Sequence, residues 1–298
     1  MKEDPHIRPV DGITYLALLA LVVATLVSRP PDPPGLSLVV RYGGLAVVLT
    51  LLWWVDRGQS RLLDVLHGFY PLIFIPILFD SLADLLPHVS PVERDAILIR
   101  LDYALLGVHP TVWLERYTHP VLTELLTWAY TAYYFLPVLL AAALYRQKKA
   151  GAFDRAVFGL VLCYYLSYVG YFLVPAVGPR FTLAHLQTVD LSGVFAADAI
   201  RETLDALERF KQDAFPSGHT AIVLLVLVYS WRPLRGLFWF FLPIVMALIV
   251  STVYLRYHYV VDVLAGMLLV AVCPVLERRM FALWPRRTTD DQRPVAGD

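Results

Sequence analysis

The chain is poor in charge. Only 17% of its 298 residues are Asp, Glu, Lys or Arg, against about 25% in an ordinary soluble domain. A soluble enzyme of this length would need more polar surface to cover its core. Net charge is absent too, with 25 basic residues balancing 25 acidic ones, which removes the basic face of a nucleic-acid binder. Cysteine is nearly missing. Cys163 and Cys273 each sit inside an apolar run, which excludes a disulfide framework and a Cys-based metal site. No internal repeat is visible. Apolar side chains, at 58%, are what the sequence has in excess, and they come in long runs.

A helix needs about 20 apolar residues to cross a hydrocarbon core of about 30 Å. Eight segments qualify: 12–28, 36–55, 65–86, 121–145, 155–174, 217–232, 236–255 and 258–277. The expectation is an all-α polytopic membrane bundle of about eight transmembrane helices. The first segment follows Lys2 and Arg8 but lacks a small-residue cleavage site, so it reads as a retained helix rather than a signal peptide. Two connections are long. Residues 87–120 hold an amphipathic stretch expected to lie in the interface. Residues 175–216 form an outer loop, with a short surface helix expected over 194–210. The charged tail at 281–298 is expected to be disordered.

Lys and Arg set the orientation. The N-terminus, the loops near 56–64, 146–155 and 231–236, and the tail carry 15 of the 25 basic residues in short segments. That side is expected to be cytoplasmic, with both termini. The two long loops and the turn at 256–257 then face outward.

Polar residues cluster at that outer end, where ionisable groups are functional candidates by default. Phe215-Pro216-Ser217-Gly218-His219-Thr220 precedes an apolar helix. A helix start offers free backbone N–H groups and a positive dipole end, a ready anion site, with His219 beside it. The competing reading is a plain helix cap with an interfacial histidine. In Tyr254-Leu255-Arg256-Tyr257-His258-Tyr259-Val260-Val261-Asp262, His258 and Asp262 are one turn apart. An Asp bonded to one imidazole nitrogen leaves the other free to attack. A structural His–Asp pair would have the same spacing. Gly178-Pro179-Arg180 ends an apolar run, and a guanidinium binds phosphate bidentately; a lone snorkelling arginine is the commoner case.

Residues 215–220 and 254–266 resemble the second and third signature motifs of the type 2 phosphatidic acid phosphatase superfamily. Gly178-Pro179-Arg180 resembles the first motif of its inositol phosphorylceramide synthase-like branch, and residues 101–110 are similar to a segment of that branch. The resemblance covers roughly 65–278. It implies a six-helix catalytic core over 65–280 preceded by two additional helices within 1–64. It implies His258 as a nucleophile that forms a phosphohistidine, Asp262 as its orienting partner and His219 as the general acid. Ser217, Gly218 and Arg180 would bind phosphate. The substrate would be a lipid phosphate, and no cofactor, metal or nucleic acid is implied.

The sequence also departs from the superfamily. Position 173 is Leu where a Lys is usual, Arg180 is followed by Phe181, and Thr252 stands where an Arg is usual. Arg256, one turn on, is the expected substitute; Arg209 and Lys211 are further sources of charge. Tyrosines at 130, 133, 134, 164, 165, 168 and 171 are candidates for a polar-tipped wall. Among them Tyr134 and Tyr168, with Asp80 and Asp84, are candidates for headgroup or acceptor contacts. Gly218, Ala265 and Gly266 would let two helices approach closely.

The leading expectation is therefore a membrane lipid phosphatase or phosphotransferase acting at the extracytoplasmic face. A sphingolipid-synthase-like headgroup transferase is the alternative acceptor chemistry. A metal hydrolase using His219, His258 and Asp262, and a transporter or scramblase, are the readings from other classes.

Overall fold

The computed structural model describes residues 7–31, 34–55 and 60–283. Among them fourteen α-helices and no strands occur. In chain order they are α1 (Pro9–Ser28), α2 (Pro34–Val55), α3 (Arg61–Phe69), α4 (Pro71–Val89), α5 (Asp95–Leu106), α6 (Pro110–Trp113) and α7 (Pro120–Thr131). There follow α8 (Leu136–Arg146), α9 (Ala150–Leu173), α10 (Pro179–Thr182), α11 (Ala197–Leu207), α12 (Gly218–Trp231), α13 (Arg235–Tyr254) and α14 (Val260–Leu283). The expected all-α polytopic bundle is what forms. Six helices, counting α3 and α4 as one span, are long and apolar enough to cross a membrane among the described residues; the number is up to eight if each of two bent pairs is one span. Large apolar side chains such as Leu16, Leu19, Leu51, Trp239 and Phe240 stay exposed on the bundle surface, as a lipid-facing surface requires. Cys163 and Cys273 are free and buried. Residues 56–59 of one expected loop, and 284–298 of the expected disordered tail, lie outside the described residues.

Three expected segments differ in shape. The span at 121–145 is α7 and α8 meeting at a 48° bend. Pro137, in the first turn of α8, has no N–H and its ring clashes with the carbonyl one turn back, so the helix cannot run through. The stretch expected to lie in the interface contains α5 and α6, and its helices through Tyr117 are bent by 59° and together apolar enough for a broken span or re-entrant loop. The break falls at Gly107, in the left-handed region with φ 71°, and at His109-Pro110. The span at 217–232 is α12, with only 14 residues, about 21 Å at 1.5 Å per residue. That is short of the bilayer core. Ten of its residues are buried, because it packs against α8, α9, α13 and α14.

That short central helix sets the depth of the site. Its start lies against the last turn of α9: a Cβ on Gly218 would sit 2.9 Å from the Tyr171 hydroxyl, and one on Gly170 would strike Pro216. At Gly266 of α14 a Cβ would fall 2.5 Å from the Ser217 carbonyl, so the absence of a side chain there lets α14 close onto the start of α12. The expected surface helix is α11. Glu124 of α7 accepts the N–H groups of Val194, Phe195, Ala196 and Ala197 at 3.0–3.1 Å, capping the α11 N-terminus from another helix.

Candidate active site

Four chain segments meet at one end of the bundle. Ser217 caps α12, its hydroxyl accepting the Thr220 N–H at 3.3 Å, and the Ser217 N–H donates to the Asp262 carbonyl at 3.0 Å. The two motif helices are thereby tied start to start. Asp102 of α5 accepts the N–H groups of Val260 and Val261 at 2.9 and 2.8 Å, which caps α14. Asp95 accepts the N–H groups of Val177 and Gly178 at 3.0 and 2.9 Å and the Tyr259 hydroxyl at 2.8 Å. Gly178 has φ 88°, and a Cβ there would lie 2.5 Å from the Tyr257 carbonyl; only glycine lets residues 177–180 lie this close to the histidine loop.

These anchors bring His219 and His258 together. His258 Nε2 lies 3.3 Å from His219 Nδ1. His258 Nδ1 lies 2.8 Å from the Ala214 carbonyl, which can only accept, so Nδ1 carries the proton and Nε2 holds the free lone pair. Asp262 is at the same ring nitrogen but farther away: its Oδ2 is 3.6 Å from Nδ1 and accepts the Tyr259 N–H at 2.8 Å. The sequence-derived pairing of Asp262 with His258 is thus shared with a backbone carbonyl. His219 Nε2 and Asp262 Oδ1 are buried without hydrogen-bond partners. Burial lowers the His258 pKa below the ordinary imidazole value, against the opposing pull of the Asp213 carboxylate.

An aromatic column joins the histidines to a cation. The Tyr130 ring stacks on His219 with centroids 4.7 Å apart and on Tyr257 at 4.5 Å. Tyr133 closes the other side of His219 at 4.1 Å. The Arg180 guanidinium lies 4.6 Å from the centre of the Tyr257 ring, a cation–π contact. Arg180 is held by the end of α11 and the residue after it: it donates to Asp205 at 2.5 Å and to Glu208 at 2.9 Å. Although burial works against it, those two carboxylates raise the Arg180 pKa further. Asp213 is beside this cluster. Burial, reinforced by Glu208, pushes its carboxyl up to about 7, with His258 and Arg180 pulling the other way.

Other sequence candidates lie elsewhere. The one-turn spacing of Thr252 and Arg256 assumed a continuous helix, but α13 ends at Tyr254 and Arg256 is left-handed with φ 67°. Its guanidinium donates to Glu115 at 2.8 Å and to the Val189 carbonyl at 2.6 Å, in the two long connections 87–120 and 175–216. The Thr252 hydroxyl donates to its own helix at Ile249. Asp80 and Asp84 are engaged by arginines: Arg209 contacts both at 2.9–3.2 Å, and Arg41 contacts Asp80 at 3.0 Å. Lys211 donates to the Asp205 carbonyl. Tyr168 is buried, with its hydroxyl on the Ile75 carbonyl, whereas Tyr134 is exposed. Sequence reasoning missed the anchors Asp95, Asp102 and Glu124 and the holders Asp205 and Glu208. Their partners are 25 to 164 residues away in the chain, so no local spacing signals them.

The histidine ring also bears on metal binding. Asp262 faces Nδ1 of His258 while His219 faces Nε2, opposite edges of the ring, so the three groups do not converge on one point. Among the described residues no group of three His, Cys, Asp or Glu side chains is placed to hold an ion.

Comparison with known proteins gives a match over the same region. A family model described as the PAP2 superfamily matches residues 96–276, which include α5 through most of α14. A PA-phosphatase related-family protein of Dictyostelium discoideum is 28% identical over 176 residues, covering 51% of this chain and 31% of the relative. The chain thus spans less than a third of that relative's length. No solved structure matches the chain.

Proposed function

Since the chain belongs to the PAP2 superfamily, we propose that it is an integral membrane lipid phosphatase or phosphotransferase that cleaves a lipid-linked phosphate ester. One observation carries this reading: His258 presents a deprotonated Nε2 3.3 Å from His219, at an end of the bundle where an arginine and a helix start converge. The name of the Dictyostelium relative supports the same class.

In the proposed reaction His258 Nε2 attacks phosphorus and the bond from phosphorus to the leaving oxygen breaks. His219 donates its proton to that oxygen, so the lipid alcohol leaves neutral. The phosphoryl group rests on Nε2. His219, now neutral, takes a proton from the acceptor hydroxyl, whose oxygen attacks phosphorus as the N–P bond breaks. The Ala214 carbonyl and Asp262 stabilise the positive charge on the His258 ring. Arg180, Ser217 and the Gly218 amide bind the phosphate oxygens, where preorganised donors matter most. Water as acceptor gives a phosphatase. A lipid alcohol gives a headgroup transferase, the alternative raised by the resemblance of Gly178-Pro179-Arg180 to the inositol phosphorylceramide synthase-like branch, a resemblance that does not fix the acceptor. The site faces the extracytoplasmic side by the distribution of Lys and Arg, with both termini cytoplasmic. Residues 1–64 are two helices added to a catalytic core over 65–280.

Two assays test this. Purified protein is incubated with phosphatidic acid, isoprenyl phosphates and phospho-headgroup lipids, with and without a lipid alcohol, and both free phosphate and new lipids are measured. Turnover of at least one lipid in excess chelator is expected; turnover that needs a divalent ion contradicts the mechanism. Phe195→Cys, at a highly exposed outer position, should react with an impermeant thiol reagent in intact cells, since both native thiols are buried. Labelling only after lysis contradicts the orientation.

A further inference from the structure

A cavity of about 200 Å³ lies between α3, α4, α8 and α9, with Tyr133 among the residues that line it. Protein interiors rarely leave voids much larger than a water molecule, and the mechanism above uses none of this space. Its walls are apolar side chains such as Leu72, Ile75, Val138, Ala141 and Leu160. Polar atoms on its lining side chains are confined to three tyrosine hydroxyls, on Tyr133, Tyr134 and Tyr164. The cavity is therefore graded, with hydroxyls at one end and hydrocarbon beyond.

The polar end adjoins the reacting groups. Tyr133 lines the cavity, and its ring centre lies 4.1 Å from that of His219, so one side chain touches both the cavity and the catalytic pair. Along α9 the lining runs from Val157 to Tyr164, about 10 Å of helix. Two rim residues, Leu72 and Tyr134, are exposed on the bundle surface, which leaves a sideways opening toward the bilayer. The prolines at 71, 76 and 137 all line the space. Each is at a helix start or inside α4, where a proline keeps neighbouring turns from closing up.

We propose that this cavity holds a single hydrocarbon chain of the substrate, an acyl or isoprenyl chain entering from the bilayer between α4 and α8, with its phosphate end directed past Tyr133 to His258. The inference rests on the lipid phosphate reading above and adds where the chain lies. The volume argues for one chain, since it falls below the roughly 300 Å³ at which pockets begin to enclose a whole small molecule. The remainder of a two-chain lipid would stay in the bilayer. A permanently bound bilayer lipid is the other occupant that the test separates.

Filling the cavity is the test. Ala141→Phe projects a ring into it from α8. The variant and the unaltered protein are compared on a long-chain phosphatidic acid and on a soluble short-chain phosphate monoester. The expected result is a fall in kcat/KM of about tenfold for the long-chain lipid, the equivalent of losing burial of about two methylene groups, with less than a twofold change for the short ester. Equal losses on both esters, or no loss on either, overturn the proposal. If the unaltered protein turns over neither ester, the lipid phosphate reading itself fails, a different outcome from failure of the cavity. A lipid phosphate carrying a diazirine in its chain, used with the unaltered protein, needs no variant to fold. It should label Val138, Ala141 or Leu160. Labelling confined to outer surface residues such as Leu16 and Phe240, or labelling of the cavity that excess substrate does not displace, contradicts it.

Discussion

The Nδ1–H of His258 donates to the Ala214 carbonyl at 2.8 Å, while the Asp262 carboxylate stands 3.6 Å away. The backbone carbonyl, the nearer of the two acceptors, thus suffices to fix the tautomer that frees Nε2. In a triad where the carboxylate does this work, its amide replacement costs about 10⁴ in rate. Here Asp262→Asn keeps an oxygen able to accept the Tyr259 N–H and leaves the Ala214 contact untouched. The expected loss in kcat is roughly 10- to 100-fold, the scale of a supporting hydrogen bond. Steady-state kinetics on any accepted lipid phosphate checks it; a loss of 10⁴ would return the orienting role to Asp262.

Arg180 and Arg256 should separate cleanly. Arg180 is linked through Tyr257 and Tyr130 to His219, whereas Arg256 is bonded to Glu115 and Val189. Arg180→Lys should weaken vanadate inhibition about tenfold or more, because an ammonium lacks the bidentate fork. Arg256→Ala should leave vanadate inhibition within twofold and lower Tm instead. Inhibition constants and thermal melts in the same detergent distinguish the two arginines.

Asp205 and Glu208 occupy Arg180 as a phosphate would. Binding a phosphate must then displace them or draw the anion in beside them. Asp205→Asn with Glu208→Gln should tighten vanadate or inorganic phosphate binding by several fold, since the competing carboxylate charge is gone. Weaker binding in the double variant would mean that these groups hold Arg180 in the right place rather than compete for it.

The pH profile carries the mark of Asp213. Its carboxyl, pushed up to about 7, loses its proton as pH rises through neutrality, and its negative form raises the His258 pKa. Below that range Asp213 is neutral and the His258 pKa is at its lowest, so Nε2 stays unprotonated further into acid. Asp213→Asn, which keeps that neutral state at every pH, should therefore remove an ionisation near pH 7 from kcat/KM and leave the acid limb in place. An acid limb that shifts in the variant contradicts this.

What the sequence made legible was local. Histidines 219 and 258 and Asp262 stand out because helix starts and one-turn spacings are short-range signals, and the apolar runs gave the bundle. Arg256 was misplaced because the end of α13 at Tyr254 has no proline or glycine to announce it. The bend in 121–145 did have its signal, in Pro137, but the apolar run around it hid the break. The carbonyl of Ala214 was invisible in principle, since every residue has one. Asp95 and Asp102 could not be assigned because their partners, the starts of distant loops and helices, come near only once the bundle has packed.

The most direct measurement is of the covalent intermediate. The unaltered protein is mixed with a ³²P-labelled lipid phosphate, quenched in alkali within milliseconds to seconds, digested, and mapped by mass spectrometry. Alkali is needed because a phosphorus–nitrogen bond survives base and not acid. The account predicts a base-stable, acid-labile phosphoryl group on the peptide containing His258, absent from His258→Ala, which also loses turnover. Turnover in His258→Ala at more than a few per cent of the unaltered rate, or a phosphoryl group on any other residue, would contradict it.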